Sequence, residues 1–270
     1  MSKTDKTKPL DAIELSLFVS RLEGVCSEMG AVLQRSAFSP NIKDRLDFSC
    51  AIFSAEGDLC AQAAHIPVHL GSMAYAMADI VGAADWADGD MIVLNDPYLG
   101  GTHLPDVTVI APVFYQGELQ AFVANRAHHA DIGADSPGSM PLSSTLEEEG
   151  VVIPPTRLVK SGELQTSLLD QWFGNKNHGD FVAQVSANHV GVDRLSAILE
   201  GLGDVSFSQA EQQLQDYGEA LANASLKEIP DGEYRFTDYM DDDGQGQQDI
   251  PISILVAVTD GHIAIDFKGT

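Results

Sequence analysis

No stretch of this chain restricts its fold more than residues 91–127. The apolar run Met91-Ile92-Val93-Leu94-Asn95 leads into a loop that carries Gly100, Gly101 and Pro105. Two further runs rich in Val, Ile and Phe, 107–115 and 118–127, flank Gln116-Gly117. A two-residue turn between such runs is a hairpin signal, because glycine reaches the positive φ that the turn requires. Antiparallel pairing is thereby imposed on the middle of the chain, and strands joined this way need no crossover helix.

The remaining elements arrange themselves around that hairpin. Leu15, Phe18, Leu22, Val25, Met29 and Val32 recur at spacings of three and four, which predicts a helix over 11–37, with Asp11 near its start where a carboxylate suits the helix dipole. Residues 48–53 and 59–63 flank Ala55-Glu56-Gly57-Asp58 and read as a second hairpin. His65 to Gly71 reads as a loop and 72–82 as a short helix. His128 to Pro155, rich in Gly, Ser, Pro and Glu, reads as a long ordered loop, a feature that often carries function. Helical spacing returns at 163–173, 178–203 and 207–227, then strands at 233–240, 251–258 and 262–268, the last two about Asp260-Gly261. The prediction is an α+β fold: mixed, largely antiparallel sheets with flanking helices, forming a truncated portion of a larger fold. Its expected divisions are a disordered tail at 1–10, a site-bearing α+β region at 11–155, and a helical segment followed by strands, incomplete at the C-terminus, at 156–270.

Charge narrows the partners. The 15 Lys and Arg face 40 Asp and Glu, a formal net charge of −25, which disfavours nucleic acid and anionic membranes because both require basic patches. No apolar run reaches the 18 residues of a membrane span, and no apolar core follows the Lys-rich first residues as in a secretory signal. Cys26, Cys50 and Cys60 are odd in number and lack CxxC spacing, which fits a reducing cytoplasm.

The chemistry concentrates in loops. His65, His69, His103 and His128-His129 lie in loops or at strand ends, among Gly, Pro and Asp. In Asn95-Asp-Pro-Tyr-Leu-Gly-Gly-Thr-His-Leu-Pro-Asp106, Pro105 excludes a regular helix interior, so His103 and Asp106, three apart, can converge on one ion. His128 and His129 end a strand and point to opposite faces, so one of the two joins them, with Asp131 nearby. Asp47, where the chain enters the sheet at 48, offers a fourth ligand. Two imidazoles and two carboxylates suit Zn, Mn, Fe or Co better than Ca or Mg. A metal held this way polarises a carbonyl or activates water near neutral pH.

Five segments, 41–53 (NIKDRLDFSCAIF), 64–73 (AHIPVHLGSM), 95–114 (NDPYLGGTHLPDVTVIAPVF), 126–141 (RAHHADIGADSPGSMP) and 147–155 (EEEGVVIPP), resemble the hydantoinase B/oxoprolinase family in order and spacing. The resemblance covers the chain from about residue 10 onward. It implies a subunit of an ATP-dependent enzyme that opens cyclic amides such as hydantoins, 5-oxoproline and lactams. It also implies a hydantoinase A-type partner that binds ATP and phosphorylates the ring carbonyl, and an oligomeric assembly. Carried over position by position, the metal set falls on Asp47, His103, Asp106 and His128, leaving His129 and Asp131 as candidates for moving the proton. No GxxxxGK[ST] motif occurs in the chain, in keeping with ATP binding by the partner. Related acetone carboxylases supply one alternative, in which the metal serves carboxylation. A non-catalytic metal-binding or scaffold fragment is the other. Members of the family are much longer than this chain, which puts its activity in isolation in doubt.

Overall fold

The computed structural model describes residues 9–64, 66, 68–138, 141–174, 178–202 and 205–270, so His65 lies outside the described residues. The chain begins with α1 (Ala12–Ser36), which starts at a capping box. The Asp11 carboxylate accepts from the backbone N–H of Ile13 and Glu14, and the Glu14 carboxylate accepts from that of Asp11. Its apolar stripe buries Phe18, Leu22, Val25, Cys26, Met29 and Leu33. A short turn of helix, α2 (Pro40–Lys43), leads into β1 (Phe48–Ser54), β2 (Leu59–Ala64), α3 (His69–Ile80) and β3 (Met91–Leu94). The predicted hairpin is β4 (Asp106–Tyr115) with β5 (Glu118–His128). Gln116 and Gly117 both take positive φ, 54° and 84°, the conformation of a tight hairpin turn.

After α4 (Leu146–Glu149) come β6 (Thr156–Lys160), β7 (Glu163–Leu164), α5 (Thr166–Phe173), α6 (His178–Gly201) and α7 (Phe207–Leu226). Seven strands form one sheet in the order β2-β1-β5-β4-β3-β6-β7, and every pairing is antiparallel. The expected class is what forms. One face of the sheet packs Ala51, Phe53, Leu94, Ile110, Phe122 and Ala124 against Met73, Ala76, Met77 and Ile80 of α3. The other face is covered by α1 and α6.

Three expectations change. Helix α3 begins at His69, inside the segment read as a loop. The segment from 156 to 164 is a hairpin turning at Ser161 (φ 50°) and Gly162 (φ 83°), so helix begins only at Thr166 and not at 163. The division at 155/156 also fails, because β6 pairs with β3 and α6 packs on β4 and β5. The compact units divide instead between Gln213 and Leu214. The second unit, Leu214–Thr270, contains a three-stranded antiparallel sheet in the order β10-β9-β8, made of β8 (Gly232–Asp242), β9 (Gln248–Thr259) and β10 (His262–Asp266). Among the described residues no helix is long and apolar enough to cross a membrane.

Candidate metal centre

Strand register assembles the site. Asp106 opens β4 directly opposite His128, the last residue of β5, so both side chains leave the sheet on the same face. The His128 N–H donates to the Asp47 carbonyl at 3.0 Å, which pins Asp47 beside the end of β5 just before β1 begins. His103 sits one tight turn before β4, where the Asp106 N–H donates to its carbonyl at 3.0 Å. Four of the residues expected from sequence are thus brought to one sheet end by three independent stretches of chain.

The loop between β3 and β4 is tightly held. Asn95 is 1% exposed; its amide donates to the carbonyls of Leu104 (2.8 Å) and Val151 (2.9 Å) and accepts from Ile153 N–H (2.6 Å). Gly100 has φ 83°, and a Cβ there would collide with the backbone of Ala76 in α3. Arg126, fully buried on β5, donates from Nε to Thr108 Oγ1 (2.8 Å), from one terminal nitrogen to Ser72 Oγ (2.6 Å) and from the other to the Gly100 carbonyl (2.8 Å). Its guanidinium therefore ties loop, helix and sheet together through neutral oxygens. Burial draws its pKa down to about 10, which leaves it charged at neutral pH.

Within the cluster, His128 Nδ1 lies 3.1 Å from Asp106 Oδ1, 3.2 Å from His103 Nε2 and 3.6 Å from Asp47 Oδ2. His103 Nε2 is 3.5 Å from Asp106 Oδ1. Donors sharing one ion at bond lengths of about 2.0–2.1 Å stand roughly 3.3 Å apart in a tetrahedral shell, so the separations among His103, Asp106 and His128 fit a single cation, with Asp47 beside His128. The donor chemistry fits as well, since imidazole and carboxylate together suit Zn, Mn, Fe or Co. One buried imidazole nitrogen facing the cluster, Nε2 of His69, has no hydrogen-bond partner. Buried polar groups without partners are rare in folded proteins, and an ion is one of the things that can satisfy them. Burial alone would raise the Asp106 pKa, but its contacts with His103, His128, His69 and Thr102 overcome it and hold the carboxyl well below the usual range. The hydrogen bond to Asp106 raises the pKa of His103. The His103 and Asp47 side chains remain 32% and 26% exposed, against 3% for Asp106, so the cluster opens to solvent on their side.

His129 and Asp131 do not join. His129 turns to the opposite face, its Nε2 at 2.8 Å from Gln184 Oε1 and its ring edge-on to Phe181 at 4.6 Å between centroids. Burial lowers its pKa, which favours the neutral ring. The Asp131 carboxylate accepts from Gly133 N–H at 3.0 Å and lines a separate pocket with Phe38, Ser39, Pro40, Ala130 and Asp180. The proton-moving role expected of these two is corrected on that geometry. A larger cavity of 430 Å³ lies around the turn at Tyr115–Glu118, at the far end of β4 and β5 from the cluster. Sequence reasoning missed Asn95, Arg126 and the contribution of His69, which stands 3.4 Å from Asp106 Oδ2 through its Nε2. His69 was visible as a loop histidine, but nothing local aimed it at Asp106.

The chain is 39% identical over 274 residues to an uncharacterised protein of Methanocaldococcus jannaschii, covering 97% of this chain and 48% of that one. It is 40% identical over 260 residues to a 5-oxoprolinase of Dictyostelium discoideum, covering 89% of this chain and 20% of that one. Its fold matches the crystal structure of an ATP-dependent caprolactamase from Pseudomonas jessenii with a TM-score of 0.86 at 28% identity, over 96% of this chain and 46% of that one. It therefore spans about half the length, or less, of these relatives. The family model for hydantoinase B/oxoprolinase matches residues 11–270, and the chain belongs to that family.

Proposed function

We propose that this chain supplies the metal centre of an ATP-dependent cyclic-amide hydrolase that opens hydantoin, 5-oxoproline or lactam rings. A hydantoinase A-type partner binds ATP and phosphorylates the ring carbonyl. The observation that carries this reading is the convergence of Asp47, His103, Asp106 and His128 on one face of one sheet end, with Asp47 and His103 on its open side. The 5-oxoprolinase and caprolactamase relatives support the reaction class. The three free, buried cysteines agree with a cytoplasmic setting.

In this reading Asp47, His103, Asp106 and His128 hold the divalent cation. The cation supplies Lewis acidity toward a carbonyl and toward water. Thr102 and the sheet fix the Asp106 carboxylate, and Arg126 fixes the glycine loop that precedes His103. The exposed edge of His103 sets the side from which an activated substrate approaches.

The test is metal analysis of the purified chain followed by reconstitution with an A-type partner. About one divalent transition-metal ion per chain is expected by the chemistry of the donor set. The His103→Ala/His128→Ala double variant should lose it. ATP turnover by the pair should depend on a cyclic amide and vanish with the double variant. Metal-free wild-type protein, or full turnover by the double variant, would sink the proposal.

A further inference from the structure

We infer that His69 is a fifth donor of the metal centre and that Ser49 aims it. The inference rests on the metal reading above and adds a residue from a fourth stretch of chain. His69 is fully buried at the start of α3, where its N–H donates to the Ile66 carbonyl at 3.3 Å. Its Nδ1 lies 3.0 Å from Ser49 Oγ on β1. With Nδ1 protonated and donating to Ser49, Nε2 carries the free lone pair, because a neutral imidazole has one donor and one acceptor nitrogen. That Nε2 has no hydrogen-bond partner and faces Asp106 Oδ2 at 3.4 Å.

Asp106 is the hinge of the argument. Its Oδ1 faces His103 and His128, while its Oδ2 faces His69. Donor atoms of Asp47, His69 and Asp106 lie within 4.8 Å of one another, as do those of His103, Asp106 and His128. The two groups share one carboxylate, and Asp47 also approaches His128 at 3.6 Å. The two groups are thus joined through Asp106 and through Asp47, and the His69–Ser49 contact is the kind of outer hydrogen bond that fixes a ligand imidazole's tautomer and orientation.

The experiment loads the full chain with Zn(II) or Co(II) and compares wild type, His69→Ala, His69→Gln and Ser49→Ala. Affinity is read by competition with a chromophoric chelator, the coordination shell by the visible spectrum of the Co(II) form, and folding by circular dichroism without metal. Wild type should bind, and both His69 variants should bind roughly 10–100-fold more weakly. The Co(II) spectrum of His69→Ala should change in position and intensity, because one nitrogen donor has left the shell. Ser49→Ala should keep the wild-type spectrum with a smaller loss of affinity. A Co(II) spectrum unchanged in folded His69→Ala or His69→Gln overturns the inference whatever the affinity does, and leaves the four-residue centre standing. If wild type binds neither ion, the metal reading and this inference fall together.

Discussion

His128 and His129 are neighbours in sequence, yet each belongs to a different buried polar region on opposite faces of the same strand end. On the α6 side, His129 meets Gln184, whose amide also donates to the Val107 carbonyl (2.8 Å) and Asn125 Oδ1 (2.9 Å). Asn125 in turn donates to the Gln184 carbonyl and Asn188 Oδ1, and Asn188 donates to the Val109 carbonyl. On the α3 side, His69, His103 and His128 crowd around Asp106 and Asp47, and His69 Nε2 finds no partner. A closed amide network locks a helix onto a sheet, since each bond made there would be costly to break. A cluster of imidazoles and carboxylates that leaves a buried nitrogen unpaired is suited to hold something else. The two regions differ in hydrogen-bond closure as well as in access to solvent.

The largest effect should come from Asp106→Ala. Asp106 touches His69, His103, His128 and Thr102, so its removal should take bound metal to background and abolish cyclic-amide-dependent ATP turnover in the reconstituted pair. Elemental analysis would check the first and phosphate release the second. Metal retained at the wild-type level would erase the distinction between the two faces.

Gln184→Ala should do the reverse. It strips partners from His129, Asn125 and the Val107 carbonyl, all buried. Leaving such groups unsatisfied costs about 1–3 kcal/mol each, and partial relaxation brings the expected total to about 3 kcal/mol. Urea unfolding should show that loss as a lower midpoint, while metal stoichiometry in the folded protein stays unchanged. If stability holds and metal is lost, the amide network serves the site rather than the fold.

The difference between the faces also explains what sequence could and could not disclose. Asp47, His103, Asp106 and His128 were legible because each sits at a strand end or tight turn, where local spacing and the two-residue period of a strand limit its direction. That one of His128 and His129 must turn away followed from the same period, but which one depends on the register of β5 against β4. His69 was not legible as a donor. Val68, the residue before α3, makes no side-chain capping bond, so nothing local marks the start of the helix that aims His69 inward. The pairing of β6 with β3 joins residues more than sixty positions apart, a contact that no local pattern encodes. The β6–β7 turn is a different case: Ser161-Gly162 is a plain turn dipeptide, and helical spacing after it masked a signal that was present.

Gly100→Ala sharpens the comparison from the loop. Alanine disfavours φ 83°, and its methyl group would press into the backbone of Ala76. A loss of about 2 kcal/mol is expected from strain of this kind. The displaced loop carries His103, so metal affinity should fall with stability, unlike in Gln184→Ala. Chelator competition and urea unfolding on the same samples would check both. Unchanged affinity would mean that His103 is placed by the turn at Asp106 alone.

The smallest effect should appear on the α1 and α6 side, at the thiols. Cys50 pairs with Asn125 and is fully buried; Cys26 lies on the buried stripe of α1. Burial pushes the Cys26 pKa up to about 12 and that of Cys50 well above its ordinary value. The thiolate is the reacting species, so at pH 8 native Cys26 and Cys50 should resist a disulfide reagent that labels them rapidly in denaturant. The linkage has a definite sign. Above pH 9 the unfolded chain releases the Cys26 proton while the folded chain keeps it, so this contribution to stability is complete below 9 and is lost as pH rises toward 12. Fast labelling of either thiol in the native protein would show that the α6 side opens on the timescale of the reagent. The closed network would then be a dynamic surface, and the contrast between the two faces would have to be drawn in rates instead of bonds.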